Sequence, residues 1–258
     1  MSSAEAEGER LQKVLSRAGV ASRRQVENFL LAGRIRINGQ IVKELGVRVT
    51  PGKDTVELDG TVLQLDVDAR YVVFNKPTKV VTSLSDERGR TDLQVVLDDI
   101  GERLFPVGRL DYDTSGLLIL TNDGEAAQVL SHPSFGVEKT YVATVRGEVT
   151  PAVVKVLRDG LELEDGFIAA DHVKVVGQAS PQKSIVEITL HSGRNRIVRR
   201  MCDAVGHPVI TLQRRRFGPF HLAGLKVGHW RDFTSEQRHQ LATLVELAKK
   251  QTGGERHG

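Results

Sequence analysis

Two carboxylates, Asp111 and Asp113, stand in the segment GRLDYDTSGLLILTNDG at positions 108–124, directly before an apolar run. Such a pair can simply begin a turn, in which neighbouring hydroxyls make local hydrogen bonds and Gly116 admits the chain to a buried strand. It can also hold a divalent cation, with one carboxylate attacking phosphorus and the other acting as acid and base. A third possibility is that one carboxylate works alone in a pocket that excludes water.

The metal-dependent alternative rests on the stretch DYDTSG, which resembles the first motif of haloacid-dehalogenase-type phosphotransferases. Two features disfavour it. The preceding FPVGRL contains Arg109 and is a poor buried strand, and no later acidic pair has the spacing that would complete a Mg²⁺ site. The turn and the lone catalytic carboxylate are therefore favoured, and the phosphotransferase stays an alternative.

The elements that must position these residues alternate strands with a few helices. Several predicted strands follow one another without a helix between them, which favours an α+β fold with a mixed, mainly antiparallel sheet. The predicted strands are YVVFNK before Pro77, 117–121, 139–146, 168–176, 184–191 and 209–213, and the predicted helices are 124–131, 150–158, 194–205 and 235–250.

Composition limits the class of protein. The chain has 258 residues, 40% of them hydrophobic, enough for one large domain or two modest ones. Its net charge is +3, with arginines concentrated in a few windows, as a polyanion-binding surface requires. The polar start MSSAEAEGER and the lack of a long apolar run predict neither a secretory leader nor a membrane span, so we expect a cytosolic protein.

The N-terminal segment has helical periodicity twice, followed by an alternating strand and an Asn38-Gly39 turn. Its sequence RLQKVLSRAGVASRRQVENFLLAGRIRINGQIV resembles the S4 RNA-binding domain, a helix pair followed by a hairpin. We expect its arginines to form a cationic surface that neutralises RNA phosphates: Arg23, Arg24, Arg34 and Arg36. The polar stretch LDVDAR then predicts a linker, which gives an S4 domain over 9–67, a second domain over 68–248, and solvated tails at 1–8 and 249–258.

The second domain contains four notable segments: FNKPTKVVTS (74–83), GRLDYDTSGLLILTNDG (108–124), EKTYVATVRG (138–147) and HSGRNRIVRRMCDAVGHPVITLQRRRFG (191–218). In these segments it resembles the RsuA/RluB-type ribosomal RNA pseudouridine synthases. Within the family, GRNR and RRM are most similar to the RluB-type enzymes of large-subunit rRNA; small-subunit rRNA is the near alternative. Ser192 and Ile197 depart from the Glu and Gln that relatives often have there.

The resemblance implies the roles of four residues. Asp111 would be the catalytic carboxylate, Arg199 its charge partner, Tyr141 the ring that stacks on the base, and Leu212 the apolar residue packed beside it. A guanidinium close to Asp111 would oppose the rise in pKa that a dry pocket causes. By pattern alone, Tyr141 and Leu212 would be ordinary core residues.

The substrate would be ribosomal RNA, and the enzyme would bind its target nucleotide in a flipped-out conformation. We expect a monomeric enzyme that uses no cofactor. The remaining arginines near the motifs are expected to contact that RNA: Arg109, Arg194, Arg196, Arg200 and Arg214. The histidines lack zinc-site spacing, so we predict no metal. Two alternatives of another class remain, a non-catalytic RNA-binding protein of the S4 type and a Mg²⁺-dependent phosphotransferase that uses Asp111 and Asp113.

Overall fold

A computed structural model describes residues 8–84, 86 and 88–254. Their contacts divide the chain into two units. One unit contains the described residues up to Arg70 together with the short segments 100–104 and 121–124, and the other contains the remainder. None of the helices in the described ranges is long and apolar enough to cross a lipid bilayer.

The N-terminal unit consists of a helix pair and short strands, as the S4 resemblance implies. Ser22 caps the second helix: its Oγ accepts from Gln25 N at 3.3 Å, and Gln25 Oε1 accepts from Ser22 N at 3.0 Å. The apolar faces of both helices pack on Ile35 and Val56 in one core. The elements are β1 (Glu9–Arg10), α1 (Leu11–Arg17), α2 (Arg23–Leu31), β2 (Ile35–Ile37), β3 (Gln40–Val42), β4 (Arg48–Val49), β5 (Val56–Leu58) and β6 (Thr61–Val62).

The second unit is built on a mixed, mainly antiparallel sheet, which confirms the predicted fold class. Its strands are β7 (Tyr71–Lys76), β8 (Phe105–Pro106), β9 (Thr114–Thr121), β10 (Lys139–Arg146), β11 (Leu161–Leu163), β12 (Gly166–Ile168), β13 (His172–Ser180), β14 (Lys183–Leu190), β15 (Val209–Phe217), β16 (Phe220–His221) and β17 (Trp230–Asp232). The helices are α3 (Gln94–Ile100), α4 (Gly124–Ser131), α5 (Pro151–Asp159), α6 (Ile197–Ala204) and α7 (Ser235–Gly254).

The strand order of the large sheet is β13-β14-β10-β15-β9-β7-β17, with β16 beside β15 and β8 beside β9. β10 pairs antiparallel with both β14 and β15, whereas β15 and β9 run parallel. The apolar positions of β10, β14 and β15 pack with α5 and α6 in one core, and those of β7 and β9 pack with α4 and α7 in another. The sheet thus brings the starts of β9 and β10 beside β15, where the predicted site residues lie.

Several predicted boundaries were wrong. The strand predicted over 168–176 is interrupted, because Ala170 N donates to Leu157 O at 2.9 Å and Asp171 N to Thr189 O at 2.9 Å, which separates β12 from β13. Helix α3 was missed. Strand β15 continues four residues beyond its predicted end at Gln213, to Phe217, and α7 reaches Gly254, so part of the stretch predicted as a tail is helical. Of the predicted tail at 1–8, all but Gly8 lies outside the described residues.

Candidate active site

Asp111 lies in the loop between β8 and β9, with its side chain 26% exposed. Thr114 N donates to Asp111 O at 3.1 Å and closes a turn just before the strand. Gly116 follows with φ +112°, and a Cβ atom there would lie 2.3 Å from Arg214 O. Only glycine allows this close approach of β9 to β15, which places the turn beside β15.

The loop that carries Asp111 is held by the segment 74–83. Thr82 Oγ1 donates to Leu110 O at 2.6 Å and accepts from Leu110 N at 3.2 Å. Lys79 N donates to Tyr112 O at 2.7 Å. These bonds bracket Asp111 on both sides, so the first sequence motif positions the loop.

Lys76, in the same segment, is fully buried beneath the loop. Its Nζ donates to Pro77 O and Val80 O, both at 2.8 Å. Burial lowers the pKa of Lys76 to about 8, and the charges of Asp111 and Asp113 oppose this shift. Sequence reasoning did not single out Lys76, although a lysine at the end of an apolar strand was visible.

The predicted ion pair between Asp111 and Arg199 is wrong. Arg199 Nη2 donates to the main-chain oxygen of Asp113 at 2.9 Å and lies 3.3 Å from Asp113 Oδ2. Arg196 donates to both carboxylate oxygens of Asp113 at 3.0 and 3.1 Å, and its Nη1 lies 3.8 Å from Asp111 Oδ2. Arg196 has a left-handed backbone, φ +49°, just before α6, and its guanidinium occupies the position beside Asp111 that was predicted for Arg199.

Asp113 therefore does more than begin a turn, because it is the principal acceptor for two guanidinium groups. Burial raises the pKa of Asp113, but the hydrogen bond from Arg196 and the charge of Arg199 outweigh this and hold the pKa below its usual value. Asp113 stays anionic and fixes both arginines at the edge of the site.

Tyr141 and Leu212 lie on neighbouring strands of one pocket. Tyr141 on β10 is opposite Arg214 on β15, and Leu212 is beside Thr114 in the parallel pair. The pocket has a volume of about 380 Å³, within the range of small-ligand sites, and Asp111, Tyr141 and Leu212 all line it. The structure thus brings the predicted carboxylate, ring and apolar residue together; Leu212 is also part of the core, at 5% exposure.

Two buried cations, Lys139 and Arg214, also line this pocket. Lys139 was not predicted, and Arg214 was predicted at an RNA-contacting surface, whereas their exposures are only 5% and 3%. Arg214 faces inward because it is two residues from Leu212 on β15, and its Nε donates to Leu117 O at 2.8 Å. The same two-residue spacing relates Lys139 to Tyr141 on β10, so strand alternation was a signal that could have found both.

Three of the other predicted RNA contacts of this unit line the same pocket, and Arg200 is not among its lining residues. Arg109 is exposed and makes no ion pair within the described part of the chain, and it lines the pocket as Arg194 and Arg196 do. Arg194 Nη1 donates to Gly166 O at 2.9 Å, and Arg200 Nη2 donates to Asp165 at 2.8 Å. Of these side chains, Arg109 is the freest to contact a ligand.

The four arginines predicted in the S4 surface are all exposed. Arg23 and Arg24 begin α2, where cations oppose the helix dipole, and neither makes a side-chain hydrogen bond to another described residue. Arg34 pairs with Asp59, with its Nε 3.0 Å from Oδ1, and stacks 4.4 Å from the Phe29 ring centre. Arg36 donates to Gly39 O at 2.9 Å.

Comparison with known families identifies the class of protein. The family described as RNA pseudouridylate synthase matches residues 70–204, and the S4 domain matches residues 9–55. The chain belongs to the RNA pseudouridylate synthase family and carries an S4 domain, as the sequence motifs predicted. This membership replaces the phosphotransferase and non-catalytic interpretations of the second domain with an enzyme of the isomerase class.

Particular relatives match over nearly the whole chain. A "Ribosomal large subunit pseudouridine synthase B" of Bacillus subtilis is 42% identical and covers 93% of this chain and 98% of its own length. An "Uncharacterized RNA pseudouridine synthase" of Aquifex aeolicus is 44% identical, covering 92% and 95%. A crystal structure of a pseudouridylate synthase superposes with a TM-score of 0.62 at 27% identity, covering 90% of this chain and 99% of that one.

Proposed function

We propose that this protein isomerises a specific uridine to pseudouridine in ribosomal RNA of the large subunit, with Asp111 as the catalytic carboxylate and without a cofactor. The reaction breaks the N1–C1′ glycosidic bond, turns the uracil and joins it through C5. It changes neither the composition nor the oxidation state of the nucleotide, so it needs no external reductant or energy source.

The observation that carries this proposal is the placement of Asp111 at a pocket that Tyr141 and Leu212 also line. A carboxylate there can attack C1′ of the ribose or take the 2′ proton, and both routes release the base. Tyr141 offers a flat ring for the uracil, and Leu212 adds an apolar wall that limits water.

The base reaches such a pocket only when it leaves its stack, which costs a few kcal/mol that contacts along the flanking RNA must offset. Arg109, Arg194 and Arg196, which line the pocket, can bind the adjoining phosphates. The exposed arginines of the S4 domain can bind structured RNA without reading its sequence.

The choice of large-subunit rRNA is supported by the name of the Bacillus subtilis relative, a ribosomal large subunit pseudouridine synthase, which matches across 93% of this chain. The same reaction on 16S rRNA is the alternative. The segments GRNR and RRM favour 23S rRNA, because they are most similar to those of RluB-type enzymes.

Tritium release tests the proposal. The protein is incubated in EDTA with 23S and 16S rRNA fragments that carry tritium at C5 of uridine, and release is expected from a 23S fragment. Asp111→Asn should bind the RNA normally and release no tritium, whereas the exposed Asp159→Asn should behave as the wild type. No release from any rRNA fragment, or turnover by Asp111→Asn, would contradict the function or the assignment of the carboxylate.

A further inference from the structure

Lys139 and Arg214 are two buried cations on neighbouring strands at one pocket. Both contact the same ring: Lys139 Nζ is 5.4 Å and Arg214 Cζ is 4.7 Å from the centre of Phe217. Phe217 is 1% exposed and also lines the pocket. The aromatic face stabilises the two charges but does not neutralise them.

Neither cation has a carboxylate partner within the described residues. Among the described residues, Lys139 Nζ donates only to His191 O, at 3.2 Å. Arg214 donates through Nε to Leu117 O, and the Tyr141 hydroxyl favours its charge, in part by a hydrogen bond. The buried Nη2 of Arg214 has no hydrogen-bond partner in the described part of the chain. The carboxylate of Asp113 is instead bound by Arg196 and Arg199.

This arrangement is unfavourable without a ligand. Burial, and to a lesser extent the charge of Arg214, lower the pKa of Lys139 to about 8. Burial likewise lowers the pKa of Arg214, against the effect of Tyr141. Buried charges normally have a partner of opposite charge. Two buried cations without such a partner, at one pocket, therefore indicate a ligand that carries or develops negative charge there.

The burial of Lys139 and Arg214 indicates that they bind the base of the nucleotide rather than its phosphate. The exposed Arg109 and the half-exposed Arg196, at 44% side-chain exposure, are within reach of a sugar–phosphate backbone at the mouth. Lys139 and Arg214 are almost inaccessible from outside. A flat uracil that enters the pocket can reach them, whereas a hydrated phosphodiester cannot follow without a large loss of solvation.

We propose that Lys139 and Arg214 form a subsite for the detached uracil anion. This inference rests on the proposed function. When the C1′–N1 bond breaks, its electron pair passes to the base, which becomes an anion with charge shared between N1 and the carbonyl oxygens. The C5–C1′ bond then forms from a ring electron pair, C5 loses its proton and N1 gains one, so the product has the composition of the substrate.

The subsite acts on either route to the sugar, because carboxylate attack and loss of the 2′ proton both release the base as an anion. Uracil is neutral in the bound nucleotide and becomes charged as the bond breaks. The two cations therefore bind the transition state more strongly than the substrate, which raises the rate of bond cleavage.

The experiment replaces Lys139 and measures single-turnover rates with uridine and with 5-fluorouridine at the same position of the RNA. Lys139→Gln removes the charge and keeps a donor for His191 O, and Lys139→Met is a second variant with an apolar chain of similar length. We expect a rate loss of about 100-fold with uridine while the RNA dissociation constant changes less than about twofold. The loss should be smaller with 5-fluorouridine, because fluorine makes the base a better leaving group.

Two controls complete the test. Lys139→Arg retains the charge and should recover part of the rate, and Lys155→Met, at an exposed lysine of α5, should match the wild type. An equal loss with both nucleosides, or weakened RNA binding with an unchanged rate, overturns the subsite. Failure of the proposed function is distinguishable, since the wild type itself would then form no pseudouridine.

Discussion

Arg199 Nη2 donates to the main-chain oxygen of Asp113 at 2.9 Å and lies 3.3 Å from its carboxylate. This contact joins α6 to the turn that carries Asp111, two residues before Asp113. Arg196 adds a second connection, because it binds Asp113 and approaches Asp111. The position of the proposed catalytic carboxylate thus depends on a neighbour that need not touch the substrate.

Asp113→Ala should lower turnover by roughly tenfold or more, because two guanidinium groups lose their acceptor and the Asp111 turn loses its anchor. Thermal stability should fall as well, because the Arg199 side chain is only 9% exposed and would lose its carboxylate partner. Steady-state kinetics and thermal unfolding measure the two effects. Asp113→Glu should recover part of kcat, and the exposed Asp159→Ala should leave it unaltered; wild-type turnover by Asp113→Ala would refute the positioning role.

Gly116→Ala should destabilise the second unit by about 3 kcal/mol or more, because the new Cβ would meet main-chain atoms and the residue would keep a positive φ. The nearest atom, Arg214 O, would be at 2.3 Å. Urea unfolding measures the change in the free energy of unfolding. Gly193→Ala is the matched control, as nothing lies within 4 Å of its Cβ position; equal stability of the two variants would contradict the close approach of β9 and β15.

Lys139→Met should be more stable than the wild type near neutral pH, and the difference should shrink as the pH rises above 8. The folded pKa of Lys139 is about 8, against 10.5 for the free side chain. Between these values the unfolded chain binds more protons, so the wild type gains stability with rising pH and the variant lacks that gain. The shift corresponds to about 3 kcal/mol at most.

Thermal unfolding near neutral pH and at about pH 10 measures this difference. Lys76 has a similar shift and is present in both proteins, so it cancels in the comparison. The exposed Lys155→Met should show no such dependence. A wild type that is more stable than Lys139→Met near neutral pH would show that the lysine is not a buried unpaired charge.

Much of the fold could be predicted, because its elements follow hydrophobic periodicity and clear end signals. Ser22 is a residue type that favours the start of a helix and caps α2, and the alternation around Ile35 places Arg34 and Arg36 on the exposed face. Strand β15 shows where hydrophobic periodicity fails to predict the end of an element. Its second half, QRRRF, has an inward-facing Arg214 where the pattern requires an apolar residue, so the strand was predicted to end too early.

The residues that line the site were predictable from the sequence motifs, but the ion pairs between its arginines and carboxylates were not. Asp111, Tyr141 and Leu212 come together as the motifs implied. Arg199 binds Asp113, and Arg196, which has a left-handed backbone, is the arginine that approaches Asp111; no residue pattern in GRNRIVRRM indicates this exchange. An ion pair between a loop residue and a residue at a helix end depends on tertiary geometry, and the spacing of the two residues along the chain is a poor guide to it.

Replacing Arg23 and Arg24 with glutamine should weaken RNA binding and reduce the slope of log affinity against log salt by about 2, if each binds one phosphate. Both are exposed at the start of α2 and free of hydrogen bonds to other described side chains, whereas Arg34 is held by Asp59. The double variant should therefore have a larger effect than Arg34→Gln.

The matched control removes the same amount of charge from two exposed lysines of the same unit, by Lys43→Gln with Lys53→Gln. If this control reduces the slope equally, total charge rather than the start of α2 determines binding, and an unchanged slope for Arg23→Gln with Arg24→Gln excludes these two residues from the RNA contact.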